Sequence, residues 1–148
     1  LGVDLSSQAL KTASINVDTH RQMLEMSKHH VFLFQGKGLE SLGREQSVDV
    51  LISNPPYICS DTIPTLSPEV NQEPRLALDG GVDGLEVFRN LFNEANESLV
   101  NGGELMVEHG YDQRNDLMEL LKAYPYFEPP ECFDDLEGRP RVMKLVKQ

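Results

Sequence analysis

The stretch that decides the fold is Val48–Tyr57, which reads Val-Asp-Val-Leu-Ile-Ser-Asn-Pro-Pro-Tyr. Its first six residues have the length and β-branched bias of a strand buried on both faces. The strand must end at the prolines, because neither has an N–H to continue a hydrogen-bonded ladder. A residue that precedes a proline is also held extended. We therefore predict a stiff corner, Asn54–Tyr57, at the carboxyl end of a buried strand.

This predicted corner presents two fixed hydrogen-bond acceptors, the side-chain amide of Asn54 and the carbonyl of Pro55, beside the ring of Tyr57. Two acceptors and an aromatic face suit a planar –NH2 group, such as a carboxamide or the exocyclic amine of a base. The alternative is an ordinary turn, which Asn-Pro dipeptides often mark. The position directly after a buried strand favours a functional site.

Composition and charge limit the function classes. The 148 residues, 39% hydrophobic and 25% charged, are typical of one globular domain, spanning 1–148. The net charge of −11 argues against direct binding of nucleic acid, which needs a basic surface. Cys59 and Cys132 show no metal-ligand spacing, and no apolar run reaches the length of a membrane span. We therefore expect no metal, no membrane and no direct nucleic-acid partner.

The order of elements predicts a doubly wound α/β sheet that closes with an antiparallel hairpin. A long irregular stretch, Ile58–Val82, is predicted to be a functional loop that closes over the corner, with Gly80 and Gly81 as hinges. The predicted strands are 1–5, 31–34, 48–53, 104–108, 127–133 and 142–146. Three helices are predicted: the first begins after Ser6 or Ser7, the second covers 83–99 and the third covers 112–124. Residues 43–47 are predicted to be a surface loop. Six side chains form the predicted core stripe of the second helix: Leu85, Phe88, Leu91, Phe92, Ala95 and Leu99.

Ligands of doubly wound sheets bind outside the carboxyl ends of the strands. Asp4 ends the first predicted strand, Gly36–Gly38 follows the second, and the Asn54–Tyr57 corner follows the third. An acid in the position of Asp4 can accept hydrogen bonds from both hydroxyls of a ribose, although it can also simply cap the next helix. The sequence therefore predicts that these three segments share one ligand site.

Further motifs accompany the corner, and together they carry a resemblance. They are Glu73-Pro74, Ala77–Gly81, Asp83–Leu85, Gly102-Gly103, Glu108–Gly110 and Gly138–Arg141. Over essentially all 148 residues the chain resembles the HemK (PrmC) protein-glutamine methyltransferases. Asn-Pro-Pro-Tyr alone is shared with adenine- and guanine-amino methyltransferases, whereas the Glu-Pro and Glu-His-Gly elements are typical of this family. The resemblance implies a Rossmann-like enzyme that uses S-adenosylmethionine to methylate the glutamine of the Gly-Gly-Gln loop in class-one peptide release factors.

The resemblance also implies which residues bind the cofactor. Asp4 would hold the ribose hydroxyls of the adenosyl group, and Leu5 would pack against the adenine. Lys37 and Gly38 would lie near the adenine, but the family has an acid where Lys37 stands. Asn54 would border the cofactor as well as the substrate. Lys37 is therefore a departure from the family's pattern at the adenine contact.

The resemblance assigns the binding of the substrate to the Asn54–Tyr57 corner. Asn54 and Pro55 would hold the glutamine amide, with Pro56 completing the corner and Tyr57 packing beside the amide. Asn54, Pro55 and Tyr57 are thus the expected catalytic residues. Accepting both amide N–H bonds would orient the nitrogen for an in-line attack on a methyl group. This chemistry requires no metal and no nucleophilic cysteine.

Two alternatives and two further expectations complete the sequence-based hypotheses. In the family, the first and central strand, its glycine-rich loop and a helical domain precede the position of Leu1, so we expect all three to be missing here. The alternative functions are an exocyclic-amine methyltransferase acting on DNA or RNA, and a truncated, non-catalytic relative that acts as an interaction module. Because Gly138–Arg141 is most similar to the mitochondrial relatives, the expected compartment is the mitochondrion, or else the bacterial cytosol.

Overall fold

The computed structural model describes residues 1–39 and 46–148, which divide into two compact units, Leu1–Glu45 and Gln46–Gln148. The first unit contains β1 (Gly2–Asp4), α1 (Ser7–Thr19), α2 (Arg21–Ser27) and β2 (Leu33–Gln35). The second contains β3 (Val48–Ser53), α3 (Arg75–Leu78), α4 (Glu86–Ser98), β4 (Leu99–Glu108), α5 (Arg114–Leu121), β5 (Glu131–Asp134) and β6 (Pro140–Val146). Most of the predicted surface loop at 43–47 lies outside the described residues, and the single domain 1–148 stays a prediction.

The first unit is a parallel strand pair with two helices between its strands. β1 pairs with β2 in register, and Ser6 caps α1 by accepting a hydrogen bond from the N–H of Ala9 at 3.2 Å, as the sequence predicted. α2 was not predicted, because its segment lacks a clear apolar stripe. The second predicted strand, 31–34, begins later, at Leu33, and it is not the buried strand that its run of apolar residues indicates: Phe32 and Phe34 are 57% and 41% exposed. The short β1 is the only strand that β2 pairs with among the described residues, which leaves these rings uncovered.

The second unit is built on a four-stranded sheet of order β3-β4-β6-β5. β3 and β4 are parallel, whereas β6 runs antiparallel to both β4 and β5, which confirms the closing hairpin. β4 begins at Leu99 and not at 104 because the glycine turn lies within the strand. Val48 pairs with Leu99, but Val50 pairs with Glu104, so the turn forms a local irregularity in the register.

The core of the second unit lies around α4. All six side chains of its predicted stripe are buried in one cluster with residues of β4, α5 and β6. In α5, which ends at Leu121 and not at Tyr124, Leu117 is buried, while Leu120 and Leu121 are partly exposed and pack against the cluster. The hydrophobic core is therefore formed as predicted around α4.

The side chains of β3 are more exposed to solvent than its sequence predicts. Val50 and Ile52 are 52% and 74% exposed, because β3 pairs only with β4 among the described residues. The first sheet is a parallel pair, and the second combines a parallel pair with an antiparallel hairpin. In both units helices connect the parallel strands, which agrees with the predicted Rossmann-like fold. Within the described part of the chain, no helix has the length and apolarity needed to cross a membrane.

Candidate functional site

The corner predicted after β3 is present. The regular strand ends at Ser53, and Asn54–Tyr57 continues without helix or strand hydrogen bonds until an isolated bridge at Ile58. Asn54 is exposed, Pro55 is buried, and Tyr57 is half-buried. Within residues 1–39 and 46–148, neither the side-chain amide of Asn54 nor the carbonyl of Pro55 makes a hydrogen bond. Both predicted acceptors are therefore unpaired within the described part of the chain.

Tyr57 is oriented by the neighbouring strand. Its hydroxyl donates to Oε1 of Glu108, at the end of β4, across 3.4 Å. Burial raises the pKa of Tyr57, and the negative charge of Glu108 raises it further. The side chain therefore remains a neutral phenol near pH 7. It offers an aromatic face and a hydroxyl donor, and it is not a proton acceptor for the reaction.

The loop after the corner is tied back to it by backbone pairing. The N–H of Ile58 donates to the carbonyl of Leu78 at 3.0 Å, and the N–H of Gly80 donates to the carbonyl of Ile58 at 2.8 Å. A Cβ at Gly80 would lie 2.7 Å from Cα of Tyr57. Gly80 is therefore needed for close packing, which differs from the hinge role predicted for it.

Asp79 fastens the far end of the same loop. Its Oδ1 accepts from the hydroxyl of Ser60 at 2.6 Å and from the N–H of Gly81 at 3.0 Å, and its Oδ2 accepts from Nε of Arg75 at 2.9 Å. These hydrogen bonds, that of Ser60 foremost, lower the pKa of Asp79. The ionised carboxylate therefore holds three parts of the loop together.

Gln113, which sequence patterns do not single out, lies at the amino end of α5 with its side chain buried. Its Oε1 accepts from the N–H of Gly110 at 2.9 Å, while its Nε2 donates to the carbonyls of Tyr57 at 2.9 Å and Gly84 at 3.3 Å. The only signal in the sequence was a glutamine three residues after the Glu-His-Gly element, just inside the predicted start of a helix. Gln113 thus links the corner to two other loops.

The neighbouring His109 is fully buried. Its Nδ1 lies 2.7 Å from the carbonyl of Gly110, and its backbone N–H donates to the carbonyl of Arg141 at 3.0 Å. Because Nδ1 must carry the proton to donate to a carbonyl, Nε2 is left as an acceptor, and it has no partner among the described residues. The Glu-His-Gly element therefore serves both the corner, through Glu108, and the packing behind it.

Asp4 ends β1, and its exposed carboxylate has the right chemistry for a ribose. Oδ1 accepts from the N–H of Ser6 at 2.7 Å, and no hydrogen bond to Oδ2 exists within the described residues. Ser6, not Asp4, is the residue that caps α1. The carboxylate thus supports the start of the helix with one oxygen and leaves the other for a hydroxyl donor. Leu5 is 44% exposed and can pack against a planar base.

Lys37 and Gly38 lie in the turn after β2, and both are exposed. Gly38 has φ +62°, a left-handed conformation that favours glycine. The ammonium of Lys37 can donate to a ring nitrogen of adenine but cannot accept from its amine, unlike the acid of the family. These residues and Asp4 belong to the first unit, whereas the corner belongs to the second. That they share one site stays a prediction. The described residues contain no group of three or more His, Cys, Asp or Glu side chains that could hold a metal ion.

The chain is similar to curated proteins that are named as glutamine methyltransferases. It is 44% identical over 148 residues to the release factor glutamine methyltransferase of Caulobacter vibrioides, covering 99% of this chain and 49% of that protein. The enzyme of the same name from Geobacter sulfurreducens is 38% identical over 146 residues, covering 97% of this chain and 48% of that protein. The ribosomal protein uL3 glutamine methyltransferase of Bradyrhizobium diazoefficiens is 39% identical over 108 residues, or 73% of this chain and 32% of that protein.

Among solved structures, the chain is similar to a chain of the Mtq2–Trm112 complex of E. cuniculi, with a TM-score of 0.51 and 20% identity over 83% of this chain and 66% of that one. This similarity supports the methyltransferase fold alone. No family model matches the chain. The chain spans about half the length of the curated relatives that it matches. Over nearly its whole length, the chain is similar to about half of each of these release factor glutamine methyltransferases.

Proposed function

We propose that this chain forms the substrate corner of an enzyme that methylates the side-chain amide of glutamine in the Gly-Gly-Gln loop of a class-one peptide release factor. The observation that carries the proposal is the pair of acceptors at the end of β3, Asn54 and Pro55, which have no hydrogen-bond partner within the described residues. A primary amide has two N–H bonds, and two acceptors held on a proline-stiffened backbone match them in number and kind.

The corner addresses the main difficulty of the reaction. A carboxamide nitrogen is a poor nucleophile because its lone pair is delocalised into the carbonyl. Acceptors for both N–H bonds, at Asn54 and Pro55, would fix the direction of that nitrogen and stabilise the positive charge that grows on it. The neutral Tyr57 would pack against the amide, and the released proton can pass to solvent. S-adenosylmethionine would supply the methyl group, and Asp4 with Leu5 would hold its adenosine end.

A second protein substrate deserves a parallel test, because one relative is named for the ribosomal protein uL3. The same two acceptors would hold any glutamine amide. An exocyclic base amine also matches them, but the net charge of −11 offers nucleic acid little phosphate-binding surface. On the Gly138–Arg141 resemblance, we propose the mitochondrion or the bacterial cytosol as the compartment.

The test is methyl transfer from labelled S-adenosylmethionine by the full-length protein, with release factor, uL3, DNA and RNA as separate acceptors. We expect label on the release factor at its Gly-Gly-Gln glutamine. Asn54→Ala should lower the transfer rate about 100-fold, while the affinity for S-adenosylmethionine stays within a few-fold. Asn16→Ala is the matched control, because Asn16 is an exposed residue of α1.

Three results would contradict the proposal. Label on nucleic acid alone would favour the base-amine alternative, and label on uL3 alone would change the protein substrate. No transfer to any acceptor, with the protein folded and the cofactor bound, would favour a non-catalytic interaction module. Full activity in Asn54→Ala would reject the assigned role of the corner.

A further inference from the structure

Three loops from distant parts of the second unit meet at one buried amide. Gly110 follows β4, Gly84 precedes α4, Tyr57 follows β3, and the side chain of Gln113 makes a hydrogen bond with each of them. We propose that Gln113 is a positioning residue: by holding the Tyr57 carbonyl, it sets the direction in which the Asn54 and Pro55 acceptors point. This inference rests on the methyl-transfer function proposed above.

The hydrogen bonds require a primary amide at this position. Two backbone carbonyls, of Tyr57 and Gly84, need donors, and one backbone N–H, of Gly110, needs an acceptor. A glutamine side chain supplies two N–H donors on one atom and an oxygen acceptor on the other, and these partners also fix which atom is which. Because the residue is buried, a side chain without these groups would leave backbone groups unpaired.

The contacts of two glycines show that the space around the Gln113 amide and the Tyr57 backbone is tightly filled. A Cβ at Gly84, where φ is +71°, would lie 2.5 Å from the Tyr57 carbonyl oxygen and 2.7 Å from Nε2 of Gln113. A Cβ at Gly80 would lie 2.7 Å from Cα of Tyr57. The backbone of Tyr57 is therefore confined on two sides by glycines, and the Gln113 amide fixes the remaining polar group of its peptide.

The chain between this anchor and the acceptors is short and stiff. Pro55 and Pro56 each have φ fixed near −65° by their rings, and each also restricts the residue before it. A shift of the Tyr57 carbonyl is therefore passed to Pro55 and Asn54 with little loss. Misplacing a reacting group by about 1 Å can lower a rate about 100-fold, even when the mutation lies away from the chemistry.

Gln113→Glu in the full-length protein tests the positioning role, because the role predicts a pH dependence of kcat that a merely structural residue would not give. A protonated glutamic acid keeps one donor and one acceptor, whereas an ionised one has no donor and faces two carbonyl oxygens. Burial raises the pKa of a carboxyl, so the protonated form persists toward neutral pH. We expect kcat relative to wild type to fall about tenfold or more as pH rises from about 5 to 9. The titratable and charged groups on the segments around Gln113 are unchanged in this variant: Tyr57, Cys59, Asp83, Glu86, Glu108, His109, Tyr111, Asp112 and Arg141.

A second variant keeps the inference testable if Gln113→Glu does not fold. Gln113→Met keeps the length of the side chain and removes all three hydrogen bonds without adding charge. We expect its kcat to fall about tenfold or more at every pH, with the KM for S-adenosylmethionine within about twofold of wild type. Gln22→Glu, at an exposed position of α2, is the control for the added charge and should show the wild-type pH profile.

The results separate this inference from the proposed function. If wild type transfers no methyl to a glutamine substrate, the proposed function fails before the variants are compared. If wild type is active, and Gln113→Glu and Gln113→Met match its kcat per folded molecule across the pH range, Gln113 does not position the corner. A pH-dependent loss in Gln113→Glu together with a pH-independent loss in Gln113→Met supports the inference.

Discussion

The two units of this chain have helices of equal length and very different burial. α1 and α4 each have 13 residues, yet α1 has no buried residue, whereas α4 buries Phe88, Leu91, Phe92, Ala95 and Ser98. In the whole described part of the first unit, Leu39 alone is buried. Helix formation therefore follows local signals in both units, but within the described residues it is α4 of the second unit that packs into a hydrophobic core.

This difference predicts where the stability lies. An isolated helix of 13 residues is marginal in water, so α1 depends strongly on its Ser6 cap and its few partly buried contacts. α4 is stabilised by buried aromatic and aliphatic side chains. Among these, Phe92 contacts Tyr124 and Phe127 edge-on, with ring centroids 5.3 and 6.2 Å apart. The second unit should accordingly dominate cooperative unfolding.

The largest expected effect compares one phenylalanine from each unit. Phe92→Ala removes a fully buried ring and should lower the free energy of unfolding by about 3–5 kcal/mol. Phe32→Ala removes a ring that is 57% exposed and should cost less than about 1 kcal/mol. Urea titrations followed by circular dichroism measure both. Equal losses would show that the first unit has a core contact comparable to that of α4.

A smaller effect tests the helix cap of the first unit. Ser6→Ala removes the acceptor for the N–H of Ala9 and should cost about 1 kcal/mol in the stability of α1. Amide hydrogen exchange should speed up in α1 and remain unchanged in α4, with Ser14→Ala in the same helix as the control. If exchange accelerates equally in both helices, the two units unfold together and the contrast between them is smaller than their burial indicates.

The smallest expected effect is a pH dependence within the second unit. Hydrogen bonds from Ser60, Gly81 and Arg75 lower the pKa of Asp79 below its usual 3.8. A carboxyl with a depressed folded-state pKa stabilises the fold above its unfolded-state pKa, and this contribution is lost as pH falls through the folded-state value. Asp79→Asn should therefore be less stable than wild type at pH 7, and the difference should shrink as pH falls below 3.8, the usual pKa of the carboxyl. A stability difference that stays constant from pH 7 to pH 3 would contradict this role.

Sequence alone predicted those features that depend on residues close together along the chain. Asn54–Tyr57 was predicted because two prolines fix their own backbone, and the α4 stripe because its spacing lies within one helix. The burial of Ile52 was predicted wrongly, because it depends on which elements lie beside β3 and not on the residue itself. Gln113 was missed because two of its partners, Gly84 and Tyr57, are 29 and 56 residues away along the chain.

The position of β6 has a consequence for biosynthesis. In the strand order of the second sheet, β6 lies between β4 and β5, and it forms all of the antiparallel pairs of the sheet. During translation, which proceeds at about 5–20 residues per second, β4 and β5 emerge before the strand that joins them. Until Pro140–Val146 has left the ribosome, β5 has no strand to pair with and one edge of β4 is open. The nascent chain therefore carries an unpaired β5 and an open edge of β4 until these seven residues have emerged, and unpaired strand edges favour aggregation.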